Sequence, residues 1–215
     1  MAETARATAL ASGLRERHRE RTRAELEEAA LRLFDERGYD AVTVEDIAAA
    51  ADVSRRTFFR YFPGKEDVFF GDQKERAEQL RQALAACPRQ EPPLSALRHA
   101  VLVMTADIEL DREQLLRRAR IMAATPSLYA RSQVQQRSGE QFVAELMAEW
   151  LGVDPAVDLR PGIVAAASLA TIRVAFNAWL AGGGEGDLPG MVAKALDLLD
   201  GGLRHCVDSP TERTA

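Results

Sequence analysis

Apolar residues recur at three- and four-residue intervals along most of this chain, and no stretch alternates for long enough to make a strand. Between 22 and 37, Leu26, Ala29, Ala30, Leu33 and Phe34 share one helical face, and Gly38 follows where a left-handed stop belongs. A short second helix opens at Thr43-Val44-Glu45-Asp46. Thr43 can cap it, Asp46 stands at the capping-box position, and Val44, Ile47 and Ala48 supply its apolar contacts. Only Asp52-Val53 separates it from a third helix, which Ser54 can cap and which runs to about Tyr61. Pro63-Gly64 ends that helix, and Lys65-Glu66-Asp67 opens a fourth expected to reach about Ala86.

After the linker at 87 to 93, the spacing predicts helices at about 94–109, 112–124, 127–151, 158–181 and 188–206. The breaks fall at Asp111, Pro126, Gly152 to Pro155 and the glycine-rich run from 182 to 190. The expected fold class is all-α. A flexible basic arm (1–19) precedes a three-helix domain (20–67) with a helix-turn-helix, its second helix at 43–51 and its recognition helix at 54–62. A helical effector-binding and dimerisation domain (68–206) and a disordered tail (207–215) follow.

Composition narrows the function classes. The chain has 215 residues, 47% hydrophobic and 28% charged, enough to bury a real core. Cys87 and Cys206 fall in no CxxC or other ligand spacing, so neither a disulfide framework nor a metal site is expected, and no cofactor. The N-terminal residues lack the apolar run of a signal peptide, and the longest apolar stretch, 163 to 172, is cut short by Arg173. A cytoplasmic protein with no membrane partner is the expectation. His18, His99 and His205 are scattered, and no nucleophile elbow, zinc-protease motif or phosphate loop is present, which argues against an enzyme.

Charge adds the first functional sign. The net charge is −5, yet residues 53 to 65 hold Arg55, Arg56, Arg60 and Lys65 with no acid among them. At about 100° per residue, Phe58 and Phe62 fall on one side of the third helix with Tyr61 adjoining. Arg56 and Arg60 fall on the other, and Arg55, Thr57 and Phe59 lie on the flanks. Two short helices joined by so tight a turn make a helix-turn-helix, whose second member can enter a major groove. There arginine reads guanine or meets phosphate. Lys65, at the start of the next helix, is placed for a phosphate. The segment 15 to 23, with five arginines against two glutamates, is a second basic element leading into this unit.

In order and spacing, the run through Ala29-Ala30, Leu33-Phe34, Gly38-Tyr39, Thr43 to Ala48, Val53-Ser54, Thr57 to Phe62 and Lys65 to Asp67 resembles the DNA-binding domain of TetR-type transcriptional regulators. The resemblance implies a homodimer, most often a repressor and less often an activator, that leaves a palindromic operator when a small molecule binds its C-terminal domain. It implies that Thr43 touches phosphate, with Val44 or Glu45 near the bases. Arg55, Arg56 and Thr57 would read bases or adjacent backbone, and Tyr61 and Lys65 would meet phosphates. Where the family often has tyrosine this chain has Phe59, which exchanges a hydroxyl contact for packing on a thymine methyl.

In the C-terminal half, the helices near 158–181 and 188–206 are the dimer candidates, because the first is apolar nearly all round and rich in small residues. Arg173 and Asn177 share one face of it, so Arg173 can meet a ligand anion or a salt bridge to Glu145 or Glu149. Met122, Tyr129, Phe142, Leu146 and Trp150 are candidate walls of a pocket for an apolar or acidic effector. The runs around Ala124 to Leu128 and Leu151 to Pro155 resemble a TetR subgroup described as acyl-CoA-like ligand binding, which includes mycofactocin-locus regulators. An acyl-CoA would suit an apolar channel with Arg117, Arg118 or Arg120 at its mouth, where plain surface arginines are the alternative.

Overall fold

A computed structural model describes residues 2–71, 73–106 and 112–202, with side chains described from residue 17 except at 105 and 106. Among these residues all regular structure is α-helical: α1 (Ala2–Arg37), α2 (Val44–Ala50), α3 (Arg55–Tyr61), α4 (Lys65–Phe70), α5 (Gln73–Ala86), α6 (Pro93–Ala106), α7 (Arg112–Ala124), α8 (Pro126–Leu151), α9 (Arg160–Ala181) and α10 (Leu188–Asp200). Two expectations shift at once. The segment expected as an arm belongs to α1, which starts at Ala2; it has no proline and is built mostly from alanine, arginine and glutamate, all strong helix formers. The fourth helix is two helices, because Gly71 takes φ +76°, a left-handed conformation that ends α4. The expected tail, 207–215, lies outside the described residues.

The chain divides into two compact units, Met1–Asp72 with Glu113–Tyr129 and Gln73–Arg112 with Ala130–Ala215. Most of α7 groups with the N-terminal unit.

The first unit is organised around aromatic residues. Phe34, Phe58 and Phe62 are at most 2% exposed and lie in one cluster with Leu26, Leu31, Val42, Ile47, Val68 and Phe69. Phe34 and Tyr39 rings meet at 4.9 Å, and Phe58 and Phe62 at 5.8 Å. Ile121 of α7 and Leu128 of α8 complete the cluster. Three arginines tie α7 to this unit. Arg117 bonds Glu28 at 2.7 Å, which raises the guanidinium's pKa further. Arg120 reaches Asp35 at 3.3 Å, and Arg118 donates to the carbonyls of Val68 and Phe69 at the end of α4. These are the arginines that an acyl-CoA mouth would have used. Their partners are carboxylates and carbonyls of α1 and α4.

In the second unit, α5 packs on α6, and α9 packs on α10 and α6. Leu80, Leu84, Ala96, Leu97, Ala100, Val143, Leu146 and Met147 form the core between α5, α6 and α8. Trp179 anchors the α9–α10 turn, its indole N–H donating to the Gly186 carbonyl at 3.3 Å. α9 runs 22 residues at a mean hydropathy of 1.6 over its most apolar window, long and apolar enough by composition to cross a membrane. The uninterrupted apolar run within it, 163 to 172, is much shorter. Arg173 and Asn177 both lie exposed on this helix, which a bilayer centre would penalise.

Candidate nucleic-acid interface and effector groove

The reading head is set by local chemistry. Thr43 Oγ1 accepts from the Asp46 backbone N–H at 3.1 Å while Asp46 Oδ2 accepts from the Thr43 N–H at 2.9 Å, a reciprocal capping box that starts α2. The bonds from the Thr43 hydroxyl and backbone N–H hold the Asp46 carboxyl below its ordinary pKa of 3.8. The turn after α2 passes through Asp52 at φ +53°, with Val53 N–H donating to the Ala48 carbonyl at 2.9 Å. Aspartate tolerates this region better than most residues, so the short link of residues 51–54 can reverse the chain. Ser54 Oγ then accepts from Thr57 N–H at 3.0 Å and caps α3.

With Phe58 and Phe62 buried, the orientation of α3 is fixed. Arg55, Arg56, Phe59 and Arg60 are exposed, and Thr57 and Tyr61 are half-buried. The arginines are not equivalent. Arg55 pairs with Glu45 of α2 at 2.9 Å and lies over the Phe59 ring at 5.4 Å. Arg60 lies over the Tyr61 ring at 5.0 Å, with a 3.4 Å hydrogen bond to its hydroxyl. Arg56 makes no ion pair among the described residues. Thr43 and Glu45 are exposed at the head of α2, and Val44 is half-buried against the core.

Lys65 departs from its expected surroundings. Its ammonium donates to the carbonyls of Tyr39 and Val42, both at 2.9 Å, and sits 4.3 Å from the Tyr39 ring centroid. It fastens the start of α4 to the turn between α1 and α2. In the basic segment before the head, Arg21 pairs with Glu25 and Arg23 with Glu27, and Arg23 also covers the Phe62 ring at 5.3 Å.

The expected pocket walls disperse. Met122 packs on the aromatic core of the first unit, and Tyr129 is 59% exposed there. Leu146 is buried in the core of the second unit, and Trp150 packs beside it with its indole N–H on the Glu91 carbonyl at 3.3 Å. Arg173 and Asn177 are exposed; Glu149 pairs instead with Arg81 at 3.6 Å, and Glu145 accepts from Gln141 at 3.4 Å. Of these candidates Phe142 alone lines a groove of the second unit, of about 440 Å³, whose floor also includes Leu80, Met104, Val143 and Leu169. That volume suits a small molecule. Sequence reading had no way to gather α5, α6, α8 and α9 around one space.

A mixed donor set forms from residues that stand in no ligand spacing along the chain. Cys87, Glu91 and His99 bring one donor atom each within 4.8 Å of one another. Cys87 Sγ lies within hydrogen-bonding reach of the Ala83 carbonyl at 3.4 Å and the Ala96 carbonyl at 3.7 Å. Burial and then the Glu91 charge push its pKa up, and the thiol lies buried at the α5–α6 junction.

On the exposed side, α9 presents Ile163 and Val174, each more than 60% exposed, and α10 presents Leu198. Such an apolar face on regular helices is the surface of an interface.

Comparison with known proteins places these features. Residues 26–70 match the family described as bacterial regulatory proteins, tetR family, and residues 91–204 match the MftR C-terminal domain. The HTH-type transcriptional regulator TcmR of Streptomyces glaucescens is 37% identical over 180 residues, covering 81% of this chain and 80% of that protein. Among solved structures, Thermus thermophilus FadR, a TetR-family repressor in complex with lauroyl-CoA, is 28% identical with a TM-score of 0.52, covering 90% of this chain and 98% of that one. NalD of Pseudomonas aeruginosa, the secondary repressor of the MexAB-OprM efflux pump, is 26% identical with a TM-score of 0.58, covering 85% and 97%. The chain belongs to the tetR family of bacterial regulatory proteins: it is a DNA-binding, ligand-responsive transcriptional regulator that pairs with a second copy through its C-terminal helices.

Proposed function

We propose that the protein is a repressor that reads a palindromic operator with α3 of each subunit and releases it when a small molecule fills the groove of the second unit. The observation that carries the reading is the sorting of α3. Phe58 and Phe62 lock one face into the core, which leaves Arg56 exposed and, among the described residues, without an ion pair. Arg56 is the base reader, and Thr57, Arg60 and Tyr61 meet the flanking backbone. Thr43, Val44, Glu45 and Ser54 frame the approach, and Arg55 joins the contact when DNA phosphate competes with Glu45. Phe59 packs on a thymine methyl.

The groove has a direct covalent line to this head, since α5 follows α4 after Gly71 and Asp72. A ligand that binds one subunit arrangement better than another shifts the spacing of the two α3 helices, and only by that difference in affinity.

The test is a titration of the full chain against the DNA upstream of its own gene at several salt concentrations. Saturation at two subunits per site with a steep salt slope is the expected result. A flat slope, or equal affinity for unrelated DNA, would refute operator reading.

A further inference from the structure

We propose that Cys87, Glu91 and His99 hold a zinc ion at the junction of α5 and α6. The site is separate from the reading head, and none of the three residues lines the groove. Cys87 follows the last residue of α5, Glu91 stands in the link that comes next, and His99 lies on α6. Their donor atoms all lie within 4.8 Å of one another. The fold holds the first two independently of any ion. The Cys87 thiol reaches the Ala83 carbonyl at 3.4 Å and the Ala96 carbonyl at 3.7 Å. It therefore lies against the side of α6 on which His99 follows Ala96 by one turn. The Glu91 N–H donates to the Pro88 carbonyl at 3.0 Å, and its own carbonyl accepts from the Trp150 indole at 3.3 Å.

Thiolate, imidazole and carboxylate are the protein ligands zinc takes, and its tetrahedral geometry sets such donors about 3.3–3.6 Å apart. His99 Nδ1 and Glu91 Oε1 stand 3.9 Å apart, too far for a hydrogen bond and close to that edge. His99 is exposed and Glu91 half-buried, so small side-chain rotations close the remainder and the ion reaches the buried sulfur from the His99 side. Charge supports the same assignment. The Glu91 carboxylate opposes ionisation of the thiol beside it. A dication removes that conflict, because thiolate and carboxylate together carry two negative charges and the filled site is neutral. On binding, the S–H proton passes to solvent and a sulfur–zinc bond forms. The flanking cations are engaged elsewhere, Arg89 over the Trp150 ring at 4.9 Å and Arg98 on Asp197 at 3.1 Å. Three protein ligands leave the fourth position to water, and the ion ties the end of α5 to α6.

The test titrates the reduced full chain with Zn2+ in competition with a chromophoric chelator, and with Co2+ as a spectroscopic stand-in. The expected result is one Zn2+ per chain and a Co2+ complex with the intense visible bands of a tetrahedral site and a sulfur-to-cobalt charge-transfer band. Cys87→Ser should abolish the charge-transfer band. His99→Ala and Glu91→Gln should each weaken Zn2+ by more than about tenfold, since losing even a residue that only supports a ligand costs that much. His99 is exposed, so its replacement leaves the core intact, and circular dichroism checks the fold of Cys87→Ser. Cys206→Ser should change nothing. The site is overturned if wild type takes up no stoichiometric Zn2+, or if Co2+ binds octahedrally without the charge-transfer band. It is equally overturned if binding survives both Cys87→Ser and His99→Ala, or is lost with Cys206→Ser.

Discussion

The ammonium of Lys65 donates a 2.9 Å hydrogen bond to the carbonyl of Val42, 23 residues earlier in the chain. A second bond of the same length goes to Tyr39. Together they close the turn that delivers α2, so this lysine positions the reading head through its neighbours. Lys65→Met is expected to lower stability by about 1.5–3 kcal/mol, the range for hydrogen bonds from a charged group. It should weaken operator binding while the dependence of log K on log salt stays unchanged. A salt slope smaller by about one would instead identify a phosphate contact. Urea unfolding and salt-dependent anisotropy separate the two roles.

Arg56 and Glu45 should move DNA binding in opposite directions. Arg56→Ala is expected to cost roughly 1–3 kcal/mol on the operator and to relax discrimination at one base pair. Glu45→Gln removes the acid that pairs with Arg55 at 2.9 Å and frees a cation for the backbone. The salt slope should then steepen, by up to about one per subunit, with more gain on unrelated DNA than on the operator. Competition binding against both DNA types reads the two effects.

Asp46 couples α2 to pH. Thr43 bonds hold its folded pKa below 3.8, so the unfolded chain takes up the proton first. Its stabilisation is therefore complete above the ordinary aspartate range and is lost as pH falls through the depressed folded value. The stability gap between wild type and Asp46→Asn should be constant near neutrality and close in acid. A gap that persists unchanged in acid would mean the carboxylate's charge does not matter. Urea midpoints across the acid range decide this.

Arg118 holds α7 against α4 by donating to the Val68 and Phe69 carbonyls, beside Glu27 at 3.8 Å. Arg118→Met keeps the length of the side chain and removes the donors. Leaving these carbonyls without the bond should cost about 1–3 kcal/mol. Amide exchange should quicken in α4 and α7 together. If α4 alone loosens, α7 is held by the Arg117 and Arg120 pairs instead.

Much of the head was legible because its chemistry is local. Capping boxes, the stop at Gly38 and the aromatic face of α3 each depend on residues at most four apart, so spacing alone reveals them. The break at Gly71 was missed because the amphipathic pattern continues through it, and a single glycine is often tolerated within a helix. The groove was mostly missed for another reason. Met122, Leu146 and Phe142 are the same kind of residue at the same helical spacing, and only packing separates a core wall from a ligand wall.

Most of the helices, the caps of α2 and α3, the buried side of α3 and the family were legible from the sequence alone, since these follow from periodicity and from motifs read in order. The tertiary structure decided which charges are available. Arg117 and Arg120 find their acids 89 and 85 residues away, and Lys65 finds carbonyls 26 and 23 residues back. A cation's role is set by what lies within about 4 Å of it, and that distance is fixed by folding across the chain.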